Sequence, residues 1–263
     1  MVFEVFRDGV QRMRRTPAEA SMSGSSRSVL PPIVPARPTL VKVALLGDSQ
    51  VGKTSLMERF CEGKFDETQL QTQGVNFMER VVSLEGHEVT FSVWDIGGST
   101  DSESMLPLVC NDAAALLFLF DLTQPETLDA VRDWHRKARA LNKCAVPFLV
   151  GSKYDALLEL PVEEQMHMNT VARRFAAAVD APLIFCAPSV PINVSNIFKV
   201  ILIRLFGLAP AVPLLQQPGE PCIIYEPPDT ASTRSSGVGV GIQPGGAPTA
   251  TRQTPNTSCS DST

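Results

Sequence analysis

A chain of 263 residues, 44% of them hydrophobic, has enough material for one domain with a real core plus flanks. Its formal net charge of −5 argues against nucleic-acid binding by phosphate neutralisation, so no nucleic-acid partner is expected. The apolar runs Ala113–Phe120 and Ile201–Leu208 are long enough for a core but fall short of the roughly 20 residues that span a bilayer.

Charge is spread unevenly: residues 1–39 carry +3, residues 40–207 carry −6 and residues 208–263 carry −2. Residues 1–38 read as a disordered basic arm, broken by Pro31, Pro32, Pro35 and Pro38 and by the Ser/Gly-rich run Ser21–Ser28. A surface or targeting helix around Phe3, Phe6 and Arg7 is conceivable, but Glu4 and Asp8 interrupt it, which favours a short solvated extension.

Residues 39–208 alternate β-rich apolar runs with helical periods, the signature of an α/β sheet. The expected strands are Thr39–Leu46, Phe77–Leu84, Glu88–Trp94, Ala113–Asp121, Pro147–Gly151 and Pro182–Cys186, with Gly86 and His87 as the turn between the second and third. Helices are expected at Lys53–Cys61, around Ser104–Cys110, and at Glu126–Leu141, Val162–Val179 and Val194–Phe206. Pro125 and Pro161 sit at helix starts, where proline is tolerated. Residues 209–263 are dominated by Pro, Gly, Ser, Thr and Gln and read as a disordered tail, with Gly219–Tyr225 apolar enough to dock on the domain. The cysteines Cys61, Cys110, Cys144, Cys186, Cys222 and Cys259 are scattered without C-x-x-C spacing, which points to free thiols in a reducing, cytoplasmic setting and not to zinc.

The most informative stretch is Gly47-Asp48-Ser49-Gln50-Val51-Gly52-Lys53-Thr54, which follows an apolar strand, places Lys-Thr at a helix start and leads into the helical pattern Ser55–Phe60. Such a loop curls its amide N–H groups toward phosphate oxygens, and the new helix adds the positive end of its dipole. Lys53 is placed to reach the β- and γ-phosphates, and Thr54 to offer a hydroxyl to Mg²⁺. Trp94-Asp95-Ile96-Gly97-Gly98 supplies a D-x-x-G, with Asp95 on Mg²⁺ through water and the Gly98 amide on a γ-phosphate. Thr72 is the candidate to touch both Mg²⁺ and γ-phosphate, so Thr54, Thr72 and Asp95 form the expected metal set. In Gly151-Ser152-Lys153-Tyr154-Asp155, a carboxylate at Asp155 can accept two hydrogen bonds from the N1 and N2 donors of guanine, while the Lys153 stem lies along the base. Each motif is weak alone, but four in this order at strand carboxyl ends are strong together.

On these residues the chain resembles Ras-superfamily small GTPases, and more narrowly the septum-promoting, mitotic-exit GTPases of fungi. Gly47–Leu56, Thr72–Glu79, Trp94–Gly98, Met105–Asp112, Gly151–Asp155, Leu183–Cys186 and Gly219–Tyr225 carry the likeness. It implies a P-loop NTPase small G domain, with a six-stranded, mostly parallel sheet and five flanking helices. GTP, GDP and Mg²⁺ are the implied ligands, held by Gly47–Ser55, Thr72, Asp95, Gly98, Ser152, Lys153, Asp155 and the Ser189 backbone amide. Lys53, Thr72, Gly98 and Ser99 are the implied catalytic set. The family further implies a switch triggering septation, cytokinesis and mitotic exit at the spindle pole body, on a spindle-pole scaffold. There it recruits a protein kinase and is turned off by a two-part GAP with a TBC-type subunit. A monomer is expected.

Several positions depart from the family pattern. Ser99 stands where the water-orienting Gln is usual, and the hydroxyl is too short to replace the amide. Ser49 and Gln50 replace glycines, and Ser152 replaces an Asn. Pro188-Ser189-Val190 takes the place of an S-A-K motif. Very slow unaided hydrolysis is therefore expected. A nucleotide-binding pseudo-GTPase scaffold and a Rab-like trafficking GTPase are the alternatives. The latter needs lipidation, yet Cys259 is the fifth residue counted from the end, not the fourth, and no lipid anchor is expected. His87, His135 and His167 read as solvated or turn residues, and Trp94 and Trp134 as packing residues.

Overall fold

Strand β1 (Thr39–Leu46) alternates little because both its faces are covered: Val41 and Val43–Leu46 are all fully buried. The computed structural model to which it belongs describes residues 39–84, 87–208, 211–217 and 219–226. The arm expected over 1–38, Gly86, most of the expected tail and Cys259 lie outside the described residues.

From β1 the chain runs through α1 (Lys53–Glu62) into an antiparallel pair, β2 (Val75–Leu84) and β3 (His87–Ile96). A 3₁₀ segment (Thr100–Met105) leads into the short α2 (Leu106–Cys110), then β4 (Ala115–Asp121), α3 (Pro125–Leu141) and β5 (Val146–Ser152) follow. The one-turn α4 (Tyr154–Leu157), α5 (Val162–Ala178), β6 (Leu183–Phe185), α6 (Val194–Phe206) and β7 (Ile223–Ile224) complete the domain. The strands form one sheet in the order β2-β3-β1-β4-β5-β6-β7, parallel from β3 to β6 and antiparallel at each edge.

Among the described residues the sheet has seven strands where six were expected. Ile223–Ile224 adds the last one by pairing antiparallel with Leu183 and Ile184, which covers the backbone edge that β6 would otherwise expose. Among the described residues six α-helices stand where five were expected, because Tyr154–Leu157 closes a turn of its own and the expected Ser104–Cys110 helix starts as the 3₁₀ segment. His87 is not a turn residue: it opens β3 and pairs with Leu84.

Apolar side chains on both faces of the sheet form two cores. On one, Phe60 of α1 stacks on Phe198 of α6, and both meet Phe91 of β3 edge-on at 5.5 and 5.3 Å. The first helix, which begins at the P-loop, is thereby anchored to the sheet and to the last helix. β4 is buried along its whole length. The order reverses at β1, with β3 on one side and β4 on the other, so the loops leaving the carboxyl ends of β1, β3, β5 and β6 gather at one rim. Open α/β sheets bind ligands at such a switch point.

Candidate functional site

Between β1 and α1 the backbone makes a turn that only a few residue types allow. Gly47 has φ +142°, and a Cβ there would lie 2.3 Å from the carbonyl oxygen of Leu119 in β4. Gly52, at φ +88°, is the N-cap of α1 and offers no side-chain cap, which leaves the helix's first amides open to an anion. Lys53, the first residue of α1, folds back so that its Nζ donates to the carbonyls of Gly47 at 2.8 Å and Asp48 at 2.6 Å. The Trp134 indole N–H donates to Asp48 Oδ1 at 2.8 Å and holds the loop from the α3 side. Trp134 is thus more than a packing residue.

Burial lowers the Lys53 ammonium to a pKa of about 8, while the Asp95 and Asp48 carboxylates pull it back up. A phosphate beside it would favour the charged form. As pH rises through about 8 the free protein loses this proton, so nucleotide binding increasingly takes one up and affinity falls. Calorimetry in buffers of differing ionisation enthalpy is expected to find more proton uptake on binding at about pH 9 than at pH 7. Uptake equal at both values would contradict this assignment.

Three oxygens converge behind the lysine. Thr54 Oγ1 donates to Asp95 Oδ2 at 2.5 Å and lies 2.7 Å from Thr72 Oγ1, which is 3.4 Å from the same carboxylate oxygen. Asp95 is fully buried, its Oδ1 has no hydrogen-bond partner among the described residues, and burial raises its pKa against the pull of Thr54, Lys53 and Thr72. A buried carboxylate with one unpartnered oxygen beside two hydroxyls is a donor set that fits a hard divalent cation such as Mg²⁺. Among the described residues there is no cluster of three or more His, Cys, Asp or Glu that could hold a metal by itself.

The segments carrying Thr72 and Gly98 close over this point. Gly97 N–H donates to Gly74 O at 2.8 Å, and the Gln71 amide donates to Ser49 Oγ at 2.8 Å. A Cβ on Gly98 would lie 2.1 Å from the Ser49 nitrogen. The Ser99 hydroxyl lies 3.3 Å from that of buried Ser102.

At the other end, the Ser152 hydroxyl reaches across the sheet to the carbonyls of Val51 at 2.5 Å and Phe120 at 3.0 Å, which ties β5 to the P-loop. Lys153 sits at φ +58° with its ammonium 2.6 Å from Asp121 Oδ2. Asp155 Oδ2 accepts a 2.5 Å bond from the Ser189 hydroxyl. Arg59 of α1 donates to the carbonyls of Pro188 at 2.6 Å and Ser189 at 3.0 Å, fixing the loop after β6.

One cleft of about 540 Å³ joins both ends. Of the expected site residues, Ser49, Gln50, Gly52, Lys53, Thr54, Ser55, Thr72, Gly98, Ser152, Lys153, Asp155 and Ser189 line it. Gly47, Asp48 and Val51 support the loop from behind, and Asp95 lies beneath it. Ser99 is not among the lining residues. Phe65, Arg59, Asp121, Trp134 and Gln71 were missed by sequence reasoning. Phe65, two residues past the Gly63 that ends α1, is the one aromatic ring lining the cleft among the described residues.

A glycine-bounded phosphate loop, a buried carboxylate with two hydroxyls and a second carboxylate across one cleft define a P-loop nucleotide-binding protein of the small G-domain class. The match to known families agrees: the chain belongs to the Ras family, over residues 42–206, and is a small GTPase. It is 48% identical over 185 residues to Septum-promoting GTP-binding protein 1 of Schizosaccharomyces pombe, which covers 70% of this chain and 93% of that protein. It is 30% identical over 171 residues to Ras-related protein RABA5b of Arabidopsis thaliana, covering 64% and 76% of the two chains. With Ras-related protein RabJ of Dictyostelium discoideum it shares 34% identity over 115 residues, 43% of this chain and 45% of that one. No helix among the described residues is long and apolar enough to cross a membrane.

Proposed function

We propose that the chain is a GTP-dependent switch that promotes septation, with Mg²⁺ held by Thr54, Thr72 and Asp95. The observation that carries this reading is the single cleft in which the Gly47–Ser55 loop faces Asp155 and Ser189. Lys53 and the first amides of α1 bind the phosphates, and Phe65 stacks on the base while Asp155 accepts its N1 and N2 protons. The cation, when bound, neutralises charge between the β- and γ-phosphates. The segments around Thr72 and Gly98 close on a γ-phosphate and present the surface that recruits a partner. The resemblance to the septum-promoting protein supports the septation role; a protein kinase is the partner proposed for this surface, and a spindle-pole scaffold the proposed site of action. A two-part GAP with a TBC-type subunit supplies the missing catalytic groups. The domain proper spans 39–208, flanked by an arm and a tail.

The reading is tested by titrating the protein with GDP and with ADP. Strong preference for GDP is expected, and equal affinities would remove the guanine assignment. Single-turnover hydrolysis is expected to run below the Ras-like rate of about 10⁻⁴ s⁻¹, and Ser99→Gln to raise it toward that rate. A native rate already at the Ras-like value would refute the role given to position 99. The placement of the Ser99 hydroxyl against Ser102, outside the cleft lining, favours one second reading, a scaffold that binds nucleotide without hydrolysing it. Single-turnover assays with a TBC-type activator separate the two.

A further inference from the structure

Residues 211–217 and 219–226, beyond the stretch matched to the Ras family, return across the domain to the edge of the sheet beside the base-reading residues. Three of their backbone carbonyls, in close succession, are taken by elements that carry the base end of the cleft. Gly219 O accepts the Tyr154 hydroxyl at 2.9 Å, and Tyr154 stands between Lys153 and Asp155. Pro221 O accepts the Asn193 amide at 3.2 Å, and the same amide donates to Phe185 O at 2.9 Å. Asn193, at φ +56°, ends the loop that holds Ser189 and begins α6. Cys222 O accepts the Phe185 N–H at 2.8 Å. Apolar burial holds the strap down: Cys222, Ile223 and Tyr225 are buried, and the Tyr225 hydroxyl donates to Val212 O at 2.6 Å, closing the strap on itself.

Tyr154 is only 4% exposed, its backbone N–H is committed to Cys186 O at 3.1 Å, and the Cys186 N–H donates to Gly151 O at 2.7 Å. The peptide that carries Lys153 and Asp155 is therefore gripped on one side by β6 and on the other by the strap. Lys153 is held in a left-handed backbone conformation, which a side-chain-bearing residue keeps only when its surroundings impose it.

We infer that the strap is part of the nucleotide site. Tyr154 and Asn193 are positioning residues that transmit its docking to Asp155 and Ser189, so the chain reads and retains guanine fully only while 219–222 is seated. This rests on the guanine-nucleotide reading above. Loss of either contact leaves a strap carbonyl without its partner and lets the base-reading peptide drift, which weakens the bond most sensitive to carboxylate placement, that to the exocyclic amine of guanine.

The test uses the full chain, loaded with fluorescent GDP or with inosine diphosphate, which lacks that amine. Tyr154→Phe is expected to release GDP about fivefold to tenfold faster, while inosine diphosphate release changes less, so discrimination between them narrows. Arg136→Gln, on the exposed face of α3 and outside both the strap and the cleft lining, is expected to leave the ratio of the two release rates within about twofold of wild type. Asn193→Gly keeps the left-handed backbone, removes the amide and is expected to behave as Tyr154→Phe; it decides the matter if Tyr154→Phe does not fold. Release of both nucleotides accelerated by one common factor, or GDP release at the wild-type rate, overturns the positioning role while leaving the guanine reading intact. Failure of the wild-type chain to load GDP at all overturns both.

Discussion

Gly98→Ala is expected to separate GTP from GDP binding. A Cβ built on Gly98 would lie 2.1 Å from the Ser49 nitrogen, 2.2 Å from the Asp48 carbonyl carbon and 2.6 Å from the Asp48 oxygen. All three are backbone atoms, so no side-chain rotation relieves the clash and residues 97–99 must withdraw from the loop. The Gly98 N–H, proposed to bond a γ-phosphate, withdraws with them. A hydrogen bond to a charged group contributes about 1.5–3 kcal/mol, so GTP affinity is expected to fall about tenfold to a hundredfold. GDP has no γ-phosphate to lose, and the P-loop itself is unaltered, so its affinity is expected to change much less. Competitive titration of a non-hydrolysable GTP analogue against GDP measures the difference. An unchanged ratio of the two affinities would show that Gly98 does not serve the γ-phosphate.

Much of this arrangement was legible in the chain because it is local. Strand β1, the loop and α1 occupy Thr39–Glu62 without interruption, and the period change from apolar strand to helix marks their borders. Asp95, Ser152 and Asp155 follow from strands long enough to be recognised. What stayed hidden joins distant residues. Trp134 and Asp48 are 86 positions apart, and Arg59 reaches Pro188 across 129, so neither contact leaves a periodic trace. Phe65 carries no pattern either; its place in the cleft follows from the turn that Gly63 makes at the end of α1. Strand β7 has two residues and exists only because β6 has an open edge, a tertiary cause that no propensity encodes. The 3₁₀ start before α2 has the same character, since it lies where buried Ser102 packs beneath Gly97.

Asp155→Asn is expected to invert base choice at the opposite end of the cleft. The carboxylate has only acceptor atoms, and guanine presents two adjacent donors, N1–H and the exocyclic amine. An Asn amide keeps one acceptor and sets an N–H₂ donor against a donor, so both the charge assistance and one bond are lost. At about 1.5–3 kcal/mol for each charge-assisted bond, GDP affinity is expected to drop at least about a hundredfold. Xanthine carries a carbonyl where guanine has its amine, and this oxygen accepts from the new Asn donor. Binding of xanthosine diphosphate is therefore expected to rise as that of GDP falls. The Ser189 hydroxyl, 2.5 Å from Asp155 Oδ2, can donate to an amide oxygen as it does to the carboxylate, so the loop after β6 keeps its tie. Tm measured without nucleotide is accordingly expected to stay near wild type, and Lys53 with the α1 amides continues to hold the diphosphate of either ligand. Paired titrations with GDP and xanthosine diphosphate decide the point: a variant that still prefers GDP would mean that Asp155 does not face the base.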